Sequence, residues 1–549
     1  MGASKGSERT HASPSSPERP WIPSDFRTAS LNDRLALMVL ALVAVMVALT
    51  FQDYGITWDE ELQATYGQLL WRFYASGFQD TAAFHYQNLY LYGGLFDLVA
   101  TALCRVSPLG EYETRHLLGG AVGLLGLAGT WALARRLHGP RAGLLALSLL
   151  AVTPLYYGHM FFNAKDVPFA CGMVWSLYSL VRLIEAFPRP PFARLAAFGV
   201  ISGLTLATRV GAVLLYGYLA VAWAAYALRR LPQTPGIAPI RPLQDGIRLL
   251  LILPISYGAM VLGWPWAIAS WLNPLQALRA FAHFDWPGLV LIQGQWLPAA
   301  ALPWHYLLLF FVIQLPELLL LGLGAALAVL VWPRRLRCGP PDLRVGIVAL
   351  AALFPLVHFI LARPTAYHTV RHYLFVIPPL CVLAAVGLDR LWQWLRDRLA
   401  RPKINSLRAV WCLALVIQAV RMVTLHPNEY IYYNAFVGGV TGANDRFELD
   451  YWGSSLKEAT RQLTALVAQE DAQRPIGRAY RVAVGGHPLS VSYFLPSHFA
   501  LSTDVEHADF VVSLTESHMD VTMPGITVAT VAREGAVLAV VKDHRPHRP

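Results

Sequence analysis

From residue 35 to residue 425 the chain alternates apolar runs, most of them near twenty residues long, with short polar loops. A run of that length crosses a hydrocarbon core of ~30 Å as a helix, which satisfies its backbone polar groups within the segment. The first run, LALMVLALVAVMVALTFQ over 35–52, is entered from Arg34 and left at Asp53. Further spans are predicted at roughly 115–134, 142–158, 167–186, 195–208, 210–228, 248–266, 304–332, 345–362, 374–392 and 409–425, about eleven in all. The moderately apolar stretch 88–106 reads as a re-entrant or interfacial helix, because a crossing there would put the Arg135–Arg141 loop on the side that the charge rule disfavours. The two short spans around Arg209 leave little room to turn, and one broken or re-entrant helix fits them as well.

Outside this region the pattern changes. Residues 1–33 are rich in Ser, Pro and Arg without apolar periodicity and are expected to be a disordered cytoplasmic tail. After His426 the long runs stop. A helical pattern over 455–470 is followed by the β-branched runs RVAVGG, ADFVVSL and AVLAVVK, which predict a small α/β domain. The expected organisation is a tail over 1–33, a transmembrane domain over 34–425 and an extracytoplasmic α/β domain over 426–549.

Composition supports this picture: 55% of residues are hydrophobic, only 14% are charged, and the mean hydropathy is +0.43. A net charge of +10 raises the question of nucleic acid, but the basic residues sit in short loops between apolar runs and form no basic face. The positive-inside rule accounts for them. It places Arg135, Arg136 and Arg141 inside, with Arg189 and Arg194; Arg229, Arg230 and Arg241; Arg334, Arg335 and Arg337; and Arg390, Arg396, Arg398, Arg401 and Lys403. The five cysteines lie in or beside apolar runs, without metal-ligand spacing and in odd number, so neither a disulfide framework nor a zinc site is expected.

With the basic loops inside, four segments with unusual polar residues face outward. Thr57-Trp58-Asp59-Glu60-Glu61 follows the first span; the same letters suit a helix N-cap, and spacing alone leaves both readings open. His159 through Pro168 contains the Lys165–Asp166 pair, which suits an interfacial ion pair before a Pro-initiated helix, or an acidic site shared with Asp59. Arg363 through Tyr373 contains Tyr367, His368, Arg371 and His372, on a face where Arg is disfavoured unless it snorkels or binds an anion such as phosphate. His426 through Asn434, with Tyr432 and Asn434, and then Asp450 and Trp452, is dense in groups that suit an aromatic belt or sugar recognition. A further outer segment holds Trp264, Trp266, Trp296 and Pro303-Trp304-His305-Tyr306. A sugar on a polyprenyl phosphate already carries a good leaving group; its transfer needs a carboxylate for the acceptor proton and cations for the departing phosphate. Asp59, Lys165 and Arg371 can supply these.

WDEE after the first span, the inner RLHG loop, NAKDVP, PWHY, VRHYLFVIPP and the late DYWG resemble, in order and sidedness, the GT-C superfamily of membrane glycosyltransferases. The resemblance covers roughly residues 35–435 and lies with the branch of the protein O-mannosyltransferases and the aminoarabinose transferase of lipid A. It implies a polytopic α-helical GT-C fold and an inverting glycosyltransferase using a polyprenyl-phosphate-linked sugar as donor. It implies Asp59 as catalytic base with Glu60 beside it, Asp166 orienting the acceptor or Lys165, and Lys165 and Arg371 on the lipid phosphate, with His372 and His305 as further contacts. Tyr367, Tyr432, Asn434, Asp450 and Trp452 remain candidates for substrate binding. One branch of the superfamily uses a divalent metal, but the sequence has no carboxylate cluster dense enough to call for one, so metal independence is expected. The C-terminal region does not match the protein mannosyltransferases, which leaves the acceptor open. The Ala/Arg-rich composition suggests a bacterial inner-membrane protein with its site in the periplasm.

Two other classes fit parts of the pattern. A transporter or flippase of lipid-linked saccharides would use Asp97 and Glu317, acids within apolar runs, although no internal repeat accompanies them. A saccharide sensor would leave Asp59 and Lys165 without a task.

Overall fold

The computed structural model describes residues 30–230, 245–282, 284, 286–333, 342–471 and 478–545. The expected tail up to residue 29, Arg241, Arg334, Arg335, Arg337 and Cys338 lie outside these residues. The chain is a polytopic helical bundle with a small α/β region at its C-terminal end. The first helix, Leu31–Thr50, begins four residues earlier than its apolar run. Ser30 and Asp33 explain the start: Ser30 Oγ accepts from the Asp33 amide at 3.2 Å, an N-cap that the hydropathy pattern does not register.

Among the described residues eight helices are long and apolar enough to span a membrane, and up to ten if two bent pairs each count as one. The expected eleven spans all fall on helices, but not all as single straight ones. The predicted 142–158 is Pro140–Ala151 plus Pro154–Phe162, bent by 66°. The predicted 304–332 is Tyr306–Gln314 plus Glu317–Val331, bent by 115°. In each case a proline, Pro154 or Pro316, stands at the break, where it removes a backbone donor and disfavours helix in the residue before it. The predicted 195–208 is the fifteen-residue helix Phe192–Leu206, only about 22 Å long. The stretch 88–106 holds the ten-residue helix Leu95–Cys104, about 15 Å long and half of what a crossing needs.

The centre of the bundle is Asp166–Ile184, buried on nearly every side, which is why its sequence shows no polar face. It packs between Glu111–His138 and Phe192–Leu206. Close approach depends on small residues: a Cβ at Gly123 would stand 2.2 Å from Met160 Cγ. The basic loops gather at the end opposite Asp59. Arg135 binds Asp33 at 2.7 Å, and Arg136 and Arg344 share Glu185. His138 and Arg141 share Asp389.

After the bundle, the helix Leu456–Asp471 lies on a five-stranded sheet. The paired strands Leu289–Ile292 (β1) and Gln295–Pro298 (β2) form a hairpin elsewhere. The sheet itself comprises Tyr480–Gly485 (β3), Phe499–Leu501 (β4), Phe510–Leu514 (β5), Ile526–Arg533 (β6) and Ala536–Asp543 (β7), in the order β4-β3-β5-β7-β6. β3 runs parallel to β4 and β5, while β7 is antiparallel to β5 and β6. Leu456, Ala459, Leu463 and Val467, one face of the helix, pack on Val482, Val512 and Val541. The RVAVGG, ADFVVSL and AVLAVVK runs are β3, β5 and β7; the exposed β4 and β6 carry weaker patterns. Lys457 fastens this region to the bundle by donating to Gln52 O at 2.6 Å and Tyr54 O at 3.0 Å.

Candidate active site

Four chain segments that each end or begin a helix meet at one cavity of about 790 Å³. The first is the turn before Glu60–Ala75. Glu60, the first residue of that helix, folds back on the turn: its Oε2 accepts from the Thr57 amide at 2.8 Å and from the Thr57 hydroxyl at 3.2 Å. The Asp59 side chain makes no capping hydrogen bond to the helix, and its carboxylate faces the cavity. The turn before the helix and the site therefore use neighbouring residues of one motif.

The second segment is Asn163-Ala-Lys165-Asp166. Asn163 Oδ1 accepts from the amides of Lys165 (3.2 Å) and Asp166 (2.8 Å), a turn that starts the central helix and aims Lys165 into the cavity. The third is Arg209, in the extended turn between Phe192–Leu206 and Val210–Val213, ion-paired with Asp166. The fourth is the loop 363–370 leading to Arg371–Val376, in which His368 and Thr369 have φ of +54° and +61°. Two consecutive left-handed residues turn the chain so that Tyr367, His368, Arg371 and His372 all line the cavity.

The cations hold the site together electrostatically. Arg371 Nη1 donates to Asp59 Oδ2 at 3.3 Å, and the guanidinium lies between the rings of Tyr367 (5.0 Å) and Trp452 (4.7 Å). Its Nε is buried and has no hydrogen-bond partner among the described residues. The Lys165 ammonium sits 4.6 Å from the Tyr92 ring centroid, and Gln63, with its amide oriented to satisfy both ends, accepts from it at 2.6 Å and donates to Asp97 at 2.6 Å. Burial pushes the Asp59 carboxyl up, but facing Lys165 and Arg371 outweigh this and hold it below its ordinary range. For Lys165 burial wins, and its ammonium is held less tightly than usual despite Asp59.

Of the residues expected at the site, Asp59, Lys165, Asp166, Tyr367, Arg371 and His372 line the cavity together. Several do not reach it, and their contacts explain why. Glu60 is consumed by Thr57 and by His116 Nε2 at 2.9 Å. Tyr432 donates to Glu317 at 3.3 Å. Asn434 clamps the Pro316 bend by donating to Val312 O (2.6 Å) and Leu315 O (2.9 Å). Asp450 accepts from the amides of Gly453 (2.9 Å), Ser454 (3.1 Å) and Ser455 (3.0 Å) and from the Tyr430 hydroxyl. Trp452 acts from behind, as a platform under Arg371. His305 stacks edge-on against exposed Trp304 outside the cavity. Asp166 is partnered by Arg209 rather than Lys165. Asp97 is paired with Arg115, and Glu317 accepts from the Ala435 amide at 2.7 Å, so both acids have structural partners.

Arg209, Tyr92, Glu448 and Glu516, not expected at the site from the sequence, also line the cavity, as does Tyr451 of the late DYWG motif. Arg209 carried a signal: a lone Arg at a turn on the outward side. Glu448 and Glu516 carried none, because they lie in unremarkable polar stretches that only folding brings together. Both carboxylates that face the cations, Asp59 and Asp166, are engaged by guanidinium groups. Among the described residues no group of three or more His, Cys, Asp and Glu side chains could hold a metal ion.

Residues 115–238 match the family model described as Dolichyl-phosphate-mannose-protein mannosyltransferase. A search of curated proteins matches none. Among solved structures, ArnT from Cupriavidus metallidurans bound to undecaprenyl phosphate is similar at 15% identity and a TM-score of 0.48, over 92% of this chain and 98% of that one. The Archaeoglobus fulgidus oligosaccharyltransferase is similar at 13% identity and a TM-score of 0.44, over 87% of this chain and 69% of that one. The mycobacterial arabinofuranosyltransferase AftD is similar at 13% identity and a TM-score of 0.44, over 94% of this chain and 40% of that one. The family-model match bears out the resemblance to the GT-C superfamily of membrane glycosyltransferases, over the segment that holds Lys165, Asp166 and Arg209.

Proposed function

We propose that this chain is an inverting glycosyltransferase that moves a sugar from a polyprenyl phosphate to a hydroxyl-bearing acceptor outside the cytoplasm. The observation that carries the reading is one cavity in which the Asp59 carboxylate faces Lys165 and Arg371, with the Arg209–Asp166 pair alongside. The description of the matched family, which names a dolichyl-phosphate sugar, supports a lipid-phosphate donor. In this reaction the acceptor oxygen attacks the anomeric carbon from the face opposite the phosphate. The bond from that carbon to the phosphate oxygen breaks, the electron pair leaves on the phosphate, and Asp59 takes the acceptor proton. Lys165, Arg371 and Arg209 neutralise the charge that grows on the phosphate, and Arg371 can do so bidentately. Donor binding also draws the two cations away from Asp59, which raises its basicity when the acceptor arrives.

The bundle over 34–425 is assigned the chemistry and 426–549 the roof of the site. The basic loops at the opposite end support a cavity on the extracytoplasmic face, the periplasm in a bacterial inner membrane. The test uses proteoliposomes of the full chain and a panel of radiolabelled polyprenyl-phosphate sugars. Protein-dependent transfer that disappears in a well-folded Lys165→Met supports the reading. Lipid translocation without transfer from any donor overturns it in favour of a flippase.

A further inference from the structure

The wall of the cavity away from Lys165 carries two acids that the donor chemistry does not use. Glu448 lies in the segment held by the β1–β2 hairpin, through the Gly294 amide on Arg446 O (3.0 Å) and the Ile292–Phe447 bridge. Its backbone carbonyl accepts from the Tyr433 hydroxyl at 2.8 Å, so its position is pinned. Glu516 comes from the C-terminal region, after β5, and accepts from the Leu449 amide at 3.0 Å. Glu448 is 3% exposed and lines the cavity; the amides of His368 and Thr369 hydrogen-bond its carboxyl, while among the described residues its Oε2 has no hydrogen-bond partner. Leaving a buried carboxyl oxygen unpaired costs about 1–3 kcal/mol, which a bound donor group would recover.

The surroundings define the ligand. Tyr367 and Trp286 are stacked at 4.3 Å, and His368 and Tyr451 at 4.8 Å, which sets flat rings into the same cavity. Burial, reinforced by Glu516, pushes the Glu448 carboxyl well above its ordinary range, and burial moves Glu516 up to about 7. Two acids on one cavity wall whose carboxyls burial drives toward the protonated form recognise neutral hydroxyl groups, both giving and accepting hydrogen bonds. A second cavity of about 280 Å³ shares Trp296, Glu516 and Ser517 with the first and runs between the β1–β2 hairpin and the loop after β5. It offers a route that does not pass Lys165.

We propose that Glu448 and Glu516 form the acceptor subsite, binding the hydroxyl groups of a neutral saccharide that enters through this second cavity. The assignment rests on the glycosyltransferase reading for the word acceptor, but saccharide binding can be measured without catalysis. Full-chain protein in nanodiscs is titrated with methyl glycosides, with tryptophan fluorescence as the readout, and separately with undecaprenyl phosphate. Saturable quenching is expected in the wild type. Glu516→Leu weakens it about tenfold or more through the lost hydrogen bonds, whereas Glu516→Gln stays within about threefold. Glu448→Gln likewise retains binding, and undecaprenyl phosphate binds all forms equally. The proposal is overturned if the wild type shows no saturable response to any glycoside, if Glu516→Leu binds as the wild type does, or if only amino glycosides bind and Glu516→Gln abolishes it, which would mark a cation site. Loss of undecaprenyl phosphate binding in the wild type would instead remove the donor reading and leave the saccharide subsite standing.

Discussion

Replacing Asp59 with Asn removes one charge from the centre of the cavity while keeping its shape. A general base contributes about 10² to 10⁴ in rate, or roughly 3–5 kcal/mol of barrier, so turnover in Asp59→Asn falls by that factor. Stability changes much less. The Asp59 side chain is 35% exposed and meets Arg371 at 3.3 Å, so solvent screens the pair and its loss costs about 1 kcal/mol or less. The helix start is not threatened, because the Asp59 side chain makes no hydrogen bond to it. Donor affinity moves in the opposite direction from turnover: without the carboxylate, Lys165 and Arg371 present their full charge to the phosphate, and binding is unchanged or tighter. The assay is sugar transfer in proteoliposomes with a donor that the wild type accepts, alongside undecaprenyl phosphate binding, with gel filtration as the folding control. Transfer by Asp59→Asn within tenfold of the wild type refutes the base assignment. A fall in phosphate affinity that tracks the loss of turnover refutes the electrostatic argument.

Arg371→Lys keeps the charge but loses the planar fork held between Tyr367 and Trp452, and should weaken undecaprenyl phosphate binding about tenfold or more, as read by titration in nanodiscs. Asp166→Asn leaves Arg209 without its buried partner and is expected to destabilise the bundle by about 3 kcal/mol, seen as a lower thermal midpoint. Asp450→Ala removes the acceptor of three amides and the Tyr430 hydroxyl; its midpoint should fall, while the molecules that remain folded keep their donor affinity. Glu516 gives a pH signature. Its folded carboxyl titrates near 7, above the ordinary 4.5, so the folded chain holds the proton more tightly and loses stability as pH rises from 4.5 through 7. Glu516→Gln should therefore melt above the wild type at pH 8 and alongside it at pH 4, and equal midpoints at both would contradict the raised value.

How far the letters alone reach is clear from particular residues. The helical bundle is legible because lipid imposes one rule on every span: enough apolar length, with backbone bonds closed inside the segment. Helix ends are less legible, since Ser30 and Pro316 act through caps and bends that average hydropathy does not register. Lys165 and Arg371 stood out because a cation on the disfavoured side of a membrane protein calls for a partner. The same reasoning failed for Tyr432, Asn434 and Asp450, whose polar groups looked free in sequence but are satisfied by chain segments folded against them.

What the sequence by itself determined is thus the solvent of each segment and the chemical types available at one end of the bundle, because burial in lipid and charge asymmetry act on local stretches of chain. Only the tertiary structure decided which of those groups meet. It turned Glu60 onto Thr57 and His116 while leaving Asp59 to face Arg371, gave Asp166 to Arg209, and brought Glu448 and Glu516 to one cavity from segments 68 residues apart. Such choices depend on hydrogen bonds and ion pairs between distant segments, whose geometry exists only once the helices have packed.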